Sequence, residues 1–160
     1  MKFPELKRKK QALTKEECEE VLKREKRGVL AVNGAGGYPY AMPMNHYYDP
    51  ADGSVWFHCG KGEGHRWEAL QKDERACFCV HDGGERMGEG WALTVKSVIV
   101  FGKIEVTEDP ETVRRIGTAL SLKFTSDRAY IEADMKKSGP ATRLLRLVPE
   151  AMTGKRVEES

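Results

Sequence analysis

The segment Cys59-Gly60-Lys61-Gly62-Glu63-Gly64 follows a strand-like stretch ending Phe57-His58 and runs into His65-Arg66. A strand, a glycine loop and a helix start, in that order, expose backbone amides at a helix N-terminus. The glycines let a ligand come close to the backbone. Lys61, His65 and Arg66 add positive charge at the same place. The chemistry this spacing suggests is anion binding, with phosphate as the first candidate. The loop is not a P-loop, because no G-x-x-x-x-G-K-[ST] occurs in the chain. Nor is Gly34-Ala35-Gly36-Gly37 a dinucleotide fingerprint, since Pro39 stands where the third glycine is required. The plain alternative is a flexible loop rich in glycine.

Other reactive residue types are spread more thinly. The four histidines, His46, His58, His65 and His81, show no tight ligand spacing, so no metal site is expected. Cys18, Cys59, Cys77 and Cys79 contain no C-x-x-C pair, and buried free thiols are the expected state. No Ser/His/Asp set or carboxylate pair stands out. Asn45-His46-Tyr47-Tyr48 is a polar-aromatic run beyond Pro43.

Short elements must position these residues. Thr14-x-x-Glu17 is a capping box, with Leu13 and Cys18 placed for a hydrophobic staple. It predicts a helix over about 15–26, ended by Gly28. Val29–Val32 reads as a buried strand, and Tyr38–Tyr48 as an edge or bent strand because it contains Pro39 and Pro43. Ser54–His58 is a third strand, and a short helix is expected over His65–Lys72. Ala76–His81 and the alternating run from Leu93 to Val106 follow, the latter switching phase near Gly102 as a bulge would. Asp109-Pro110 opens a helix with Val113, Ile116, Leu120 and Phe124 on its buried face. Ala129–Met135 reads as a further helical turn, Thr142–Val148 as a last strand, and the tail after Thr153 as loose. Six or seven strands with three short helices and no β-α-β alternation give a mainly β, α+β class: an antiparallel barrel with helices at its ends.

The 160 residues suit one domain. No apolar run approaches the roughly 18 residues that cross a bilayer, and no signal peptide is visible, so a cytoplasmic protein is expected. The net charge of +2 is uneven: residues 1–30 hold ten Lys/Arg against six Asp/Glu. That excess, at Lys7–Lys10 and Lys23–Arg27, reads as a solvated face, and nucleic-acid binding is not expected.

Several blocks resemble the pyridoxamine 5′-phosphate oxidase-like flavoproteins, in particular the branch related to nitroimidazole-resistance (Nim) proteins. They are Gly28–Val32, Gly37–Asn45, Phe57-His58, Gly64-His65-Arg66, Ser97–Lys103 and Thr153-Gly154-Lys155. The resemblance implies an FMN-binding split β-barrel, a homodimer with flavin at the interface, and a small-molecule substrate. It implies that Pro43, Met44 and Asn45 touch the flavin ring and that the loop holds the phosphate through Lys61, Gly64, His65 and Arg66. His58 would contact the flavin or substrate, with catalytic proton donation as its expected role. Ser97 and Val98 would approach from across the barrel or from the partner, and Trp91 would serve as a partner-supplied wall. The branch shows phenylalanine-His-x-Ala-x-x-Gly-His-Lys. Here Gly60 replaces the alanine, one residue is added before Gly64, and Arg66 replaces the lysine, keeping charge while changing geometry. The Arg-Leu-His substrate motif of the namesake oxidase is absent, so its reaction is not implied. The expectation is an FMN-dependent oxidoreductase; the alternative is a carrier of FMN or haem on the same barrel.

Overall fold

A computed structural model describes residues 3–159. Thr14 caps the first helix, α1 (Lys15–Arg24): its hydroxyl accepts from the Glu17 amide at 3.2 Å, and the Glu17 carboxylate accepts from the Thr14 amide at 2.8 Å. Cys18, Val21 and Leu22 form its buried face. The helix stops at Arg24, short of the expected Lys26, and Gly28 is not its terminator. Gly28 lies instead within β1 (Arg27–Asn33), where a Cβ would run into the Phe78 ring.

The remaining elements are β2 (Pro39–Asn45), β3 (Tyr47–Tyr48), β4 (Val55–Gly60), α2 (His65–Lys72), β5 (Arg75–His81), β6 (Glu85–Arg86), β7 (Leu93–Thr107), α3 (Pro110–Ser121), α4 (Arg128–Ser138) and β8 (Thr142–Glu158). One antiparallel sheet runs β2-β1-β5-β7-β8-β4-β3, with β6 on β7. Its ends approach each other where β2 meets β4. This is the antiparallel split barrel the sequence implies. Both internal prolines of the Tyr38–Tyr48 segment fall on the edge strand β2, where a missing donor costs no ladder bond.

Three expectations need correction. The charged segment before Gly139 is a full helix, α4, because Asp127 caps it by accepting from the Tyr130 amide at 3.0 Å. Phe124 lies beyond α3 and is 39% exposed, packed beneath Lys26 and Arg27 rather than into the core. The tail is not loose either: Thr153–Glu158 continues β8, paired with Thr94–Ile99 of β7. The phase switch is a bulge opposite Gly102, with Glu150 the unpaired extra residue of β8. A Cβ at Gly102 would run into the Val148 carbonyl, which fixes glycine there.

The main core fills the barrel with Leu30, Val32, Phe57, Phe78, Val100 and Leu147, and α1 closes over it. A smaller cluster of Trp56, Val113, Ile116 and Leu144 seats α3 on the other face of β4 and β8. Among the described residues, no helix is long and apolar enough to cross a membrane.

Candidate functional site

A groove of about 410 Å³ opens where the barrel is split, between β2, the β4–α2 loop and α2. Tyr40, Met42 and Met44 line one wall. They alternate along β2 and so share a face. Cys59, Gly60 and Leu145 form the floor, and Gly62, Glu63, Gly64, His65 and Arg66 form the opposite rim.

The rim has the chemistry of an anion site. Gly64 caps α2 without a side-chain hydrogen bond, leaving first-turn amides open to a ligand. Among the described residues, a Cβ at Gly60, Gly62 or Gly64 would meet no neighbouring atom within 4 Å, so no packing demand explains these glycines. Their bare backbone leaves the groove open. Arg66 is half-buried, and its hydrogen-bond partners among the described residues are two thioethers, Met44 Sδ at 3.2 Å and Met42 Sδ at 3.8 Å. Thioether sulfur is a weak acceptor, so a five-donor guanidinium is held at the groove with its main hydrogen-bonding capacity unspent. His65 stands edge-on to Tyr40, ring centroids 6.1 Å apart. Behind the rim, Arg143 stacks on Trp67 at 3.7 Å and pairs with Glu108 at 2.8 Å. The residues present fit a phosphate joined to a planar, partly apolar body.

The sequence matches the family model described as pyridoxamine 5′-phosphate oxidase over residues 14–156. The chain belongs to the pyridoxamine 5′-phosphate oxidase family. No curated protein matches it. Among solved structures, it resembles a candidate 5-nitroimidazole antibiotic resistance protein from Bacteroides thetaiotaomicron at 21% identity and TM-score 0.75, covering 92% of this chain and 87% of that one. A conserved hypothetical protein from Mycobacterium tuberculosis aligns at 21% identity and TM-score 0.76, covering 94% and 90%. A FAD and haem binding protein from Mycobacterium smegmatis aligns at 23% identity and TM-score 0.72, covering 92% and 73%. At these identities the likeness is one of fold.

The structure of this family member brings together Pro43, Met44, Gly64, His65 and Arg66 at the groove. Lys61 turns away: its ammonium pairs with Glu108 at 3.3 Å and lines a different cavity. Asn45 accepts from Arg27 Nε at 2.8 Å and does not line the groove. Val98 is 0% exposed in the core, so its side chain cannot meet a ligand. Ser97 lies on the outer face of β7, and Trp91, 73% exposed, sits on the loop before it. Neither reaches the groove of its own chain.

His58 points to the face of β4 opposite Phe57 and is absent from the groove lining. Surrounding protein, then the Arg66 charge, lower its pKa from the ordinary value, with Asp134 opposing. A downward shift favours the neutral imidazole over the protonated donor. Sequence reasoning does not reach Trp67 or Arg143. Their stacking joins α2 to β8 across 76 positions, and only the strand register, which sets Arg143 opposite Cys59, brings it about. Among the described residues, no group of three His, Cys, Asp or Glu could hold a metal ion.

Proposed function

We propose that the groove binds FMN and that the chain is an oxidoreductase passing reducing equivalents to a small acceptor, a nitro-aromatic being the first class to try. The observation that carries this reading is Arg66, a half-buried guanidinium whose side-chain partners among the described residues are thioethers, beside an uncapped helix start. One such guanidinium and one helix N-terminus make a single phosphate subsite, which favours a mononucleotide. The FAD and haem binding relative supports a flavin on this barrel. Bound flavin would supply the redox chemistry. The chain's part is to anchor the phosphate through Arg66 and the amides of α2, and to shield the ring with Tyr40, Met42 and Met44. A second copy of the chain, laid on the outer sheet face, would bring Ser97 and Trp91 to the same seam.

His58 favours a second reading. The residue expected to donate a proton stands outside the groove, as it would in a carrier of FMN or haem with no dedicated catalysis. Visible spectra of the purified and FMN-reconstituted protein separate the readings. Flavin bands that reduced nicotinamide bleaches and a nitro-aromatic restores support the enzyme. A bound flavin untouched by reductant favours the carrier, and a Soret band favours haem. Failure to take up any flavin overturns the FMN site.

A further inference from the structure

A second cavity, about 840 Å³, opens between α3 and α4 and shares no lining residue with the groove. Its base is closed by Val113 and Ile131, 3% and 2% exposed, and Pro110, Met135 and Pro140 supply its accessible apolar surface. Met135 closes it where the helices cross, so near Gly117 that a Cβ there would lie 2.6 Å from its sulfur. The rim is cationic, with Lys61, Arg114, Arg128 and Lys136 against the carboxylates Glu108 and Glu132. Both carboxylates are engaged. Glu108 pairs with Lys61 at 3.3 Å and Arg143 at 2.8 Å, and Glu132 pairs with Lys136 at 3.1 Å. Arg114 and Arg128 make no hydrogen bond or ion pair among the described residues. They face the same place: Arg114 on α3 acts electrostatically on Glu132, and Arg128 stands one turn before Glu132 on α4.

We propose that this cleft binds an amphipathic carboxylate, its head on Arg114 and Arg128 and its apolar body across Met135, Pro110 and Pro140. A guanidinium fork matches a carboxylate, and two unpaired forks beside the accessible apolar surface of Met135, Pro110 and Pro140 leave each half of such a ligand satisfied. A small polar anion would leave Met135 and the two prolines wet, and a neutral hydrocarbon would leave the guanidiniums without a partner. The volume falls within the range of roughly 300–1,000 Å³ usual for small-molecule sites. This site does not depend on flavin.

Calorimetric titration of the full chain with decanoate tests it, with decanol and acetate as comparators. Saturable decanoate binding is expected, with decanol and acetate each weaker by roughly tenfold or more. Arg114→Ala/Arg128→Ala should weaken decanoate by about the same factor and leave decanol unchanged. Thr118→Trp, which fills the cleft, should abolish both. The two arginines are exposed, so the double variant tests the site in a folded protein even if Thr118→Trp fails to fold. Equal binding of decanoate and decanol, decanoate binding unchanged in the double variant, or no saturable binding overturns the proposal.

Discussion

Arg66 concentrates the energetics of the proposed flavin site in one side chain. A charge-assisted hydrogen bond is worth about 1.5–3 kcal/mol, so Arg66→Ala should weaken FMN roughly 10- to 100-fold in a fluorescence titration. Arg66→Lys keeps the charge but loses the fork, and should fall between. Wild-type affinity in Arg66→Ala would place the phosphate elsewhere. His46 governs a different property. It is fully buried, and its Nε2 donates to the Leu22 carbonyl at 2.8 Å while Nδ1 has no partner among the described residues. Burial, then the Lys123 charge, push its pKa down from 6.5 to about 4, with the Leu22 carbonyl opposing. Between those values the unfolded chain takes up a proton that the folded chain refuses. Stability is therefore full above about pH 6.5 and falls as the pH drops toward 4, by roughly 3 kcal/mol at most. His46→Gln, which keeps a donor toward Leu22, should flatten the slope of urea-derived stability in that window. Equal slopes in both proteins would show that other groups carry it. Arg66 is legible from its local glycine loop. The burial of His46 is not, because the sequence run around it is polar and aromatic and only the break between β2 and β3 turns it inward.

At the scale of elements, local signals worked where a cap or a proline fixed the backbone. Thr14 starts α1, Asp109-Pro110 starts α3, and α2 spans the expected His65–Lys72. They failed at the C-terminus. Residues 153–159 carry Lys155, Arg156, Glu158 and Glu159, which read as a solvated tail. Yet this half of β8 pairs with β7 along one side and meets only the single bridge from Ala12 to Lys155 on the other among the described residues, and a strand so near the sheet edge accepts charge on its open side. The segment also supports α1. The Leu13 amide donates to the Gly154 carbonyl at 2.9 Å, and a Cβ at Gly154 would run into Cys18 Sγ. Ending the chain after Thr153 should therefore lower Tm by roughly 10 °C or more, since each kcal/mol is worth about 2–4 °C at this size. Gly154→Ala should cost about 1–3 kcal/mol through overpacking against Cys18. An unchanged melting curve for the truncated chain would mean that the pairing of 154–158 contributes nothing.

At the scale of the whole molecule, the sheet has more apolar surface than one chain covers. The register sets Pro43, Val29, Cys79, Ile99 and Thr153 in one row across five strands, and Ala41, Ala31, Cys77, Phe101 and Ala151 in the next. Both rows lie on the face away from the barrel core; Val29 is 41% exposed, and Phe3 stacks on Phe101 at one end only. The sequence shows this in Val29–Val32, which is apolar throughout where a strand with one wet face would alternate. Five strands at about 4.8 Å make a patch nearly 20 Å across, suited to the centre of a standard protein interface. A second copy of the chain would be a self-complementary occupant, and because β2 forms both the edge of this patch and one wall of the groove, closing the patch in this way would complete the groove. Ile99→Glu sets two like charges near the centre of such a seam without touching the barrel core. Light scattering should find the wild type dimeric and Ile99→Glu monomeric, with FMN affinity falling together with assembly while Arg66→Ala stays dimeric. A wild type that remains monomeric at concentrations that saturate FMN would separate the flavin site from the seam and leave the apolar rows to another partner.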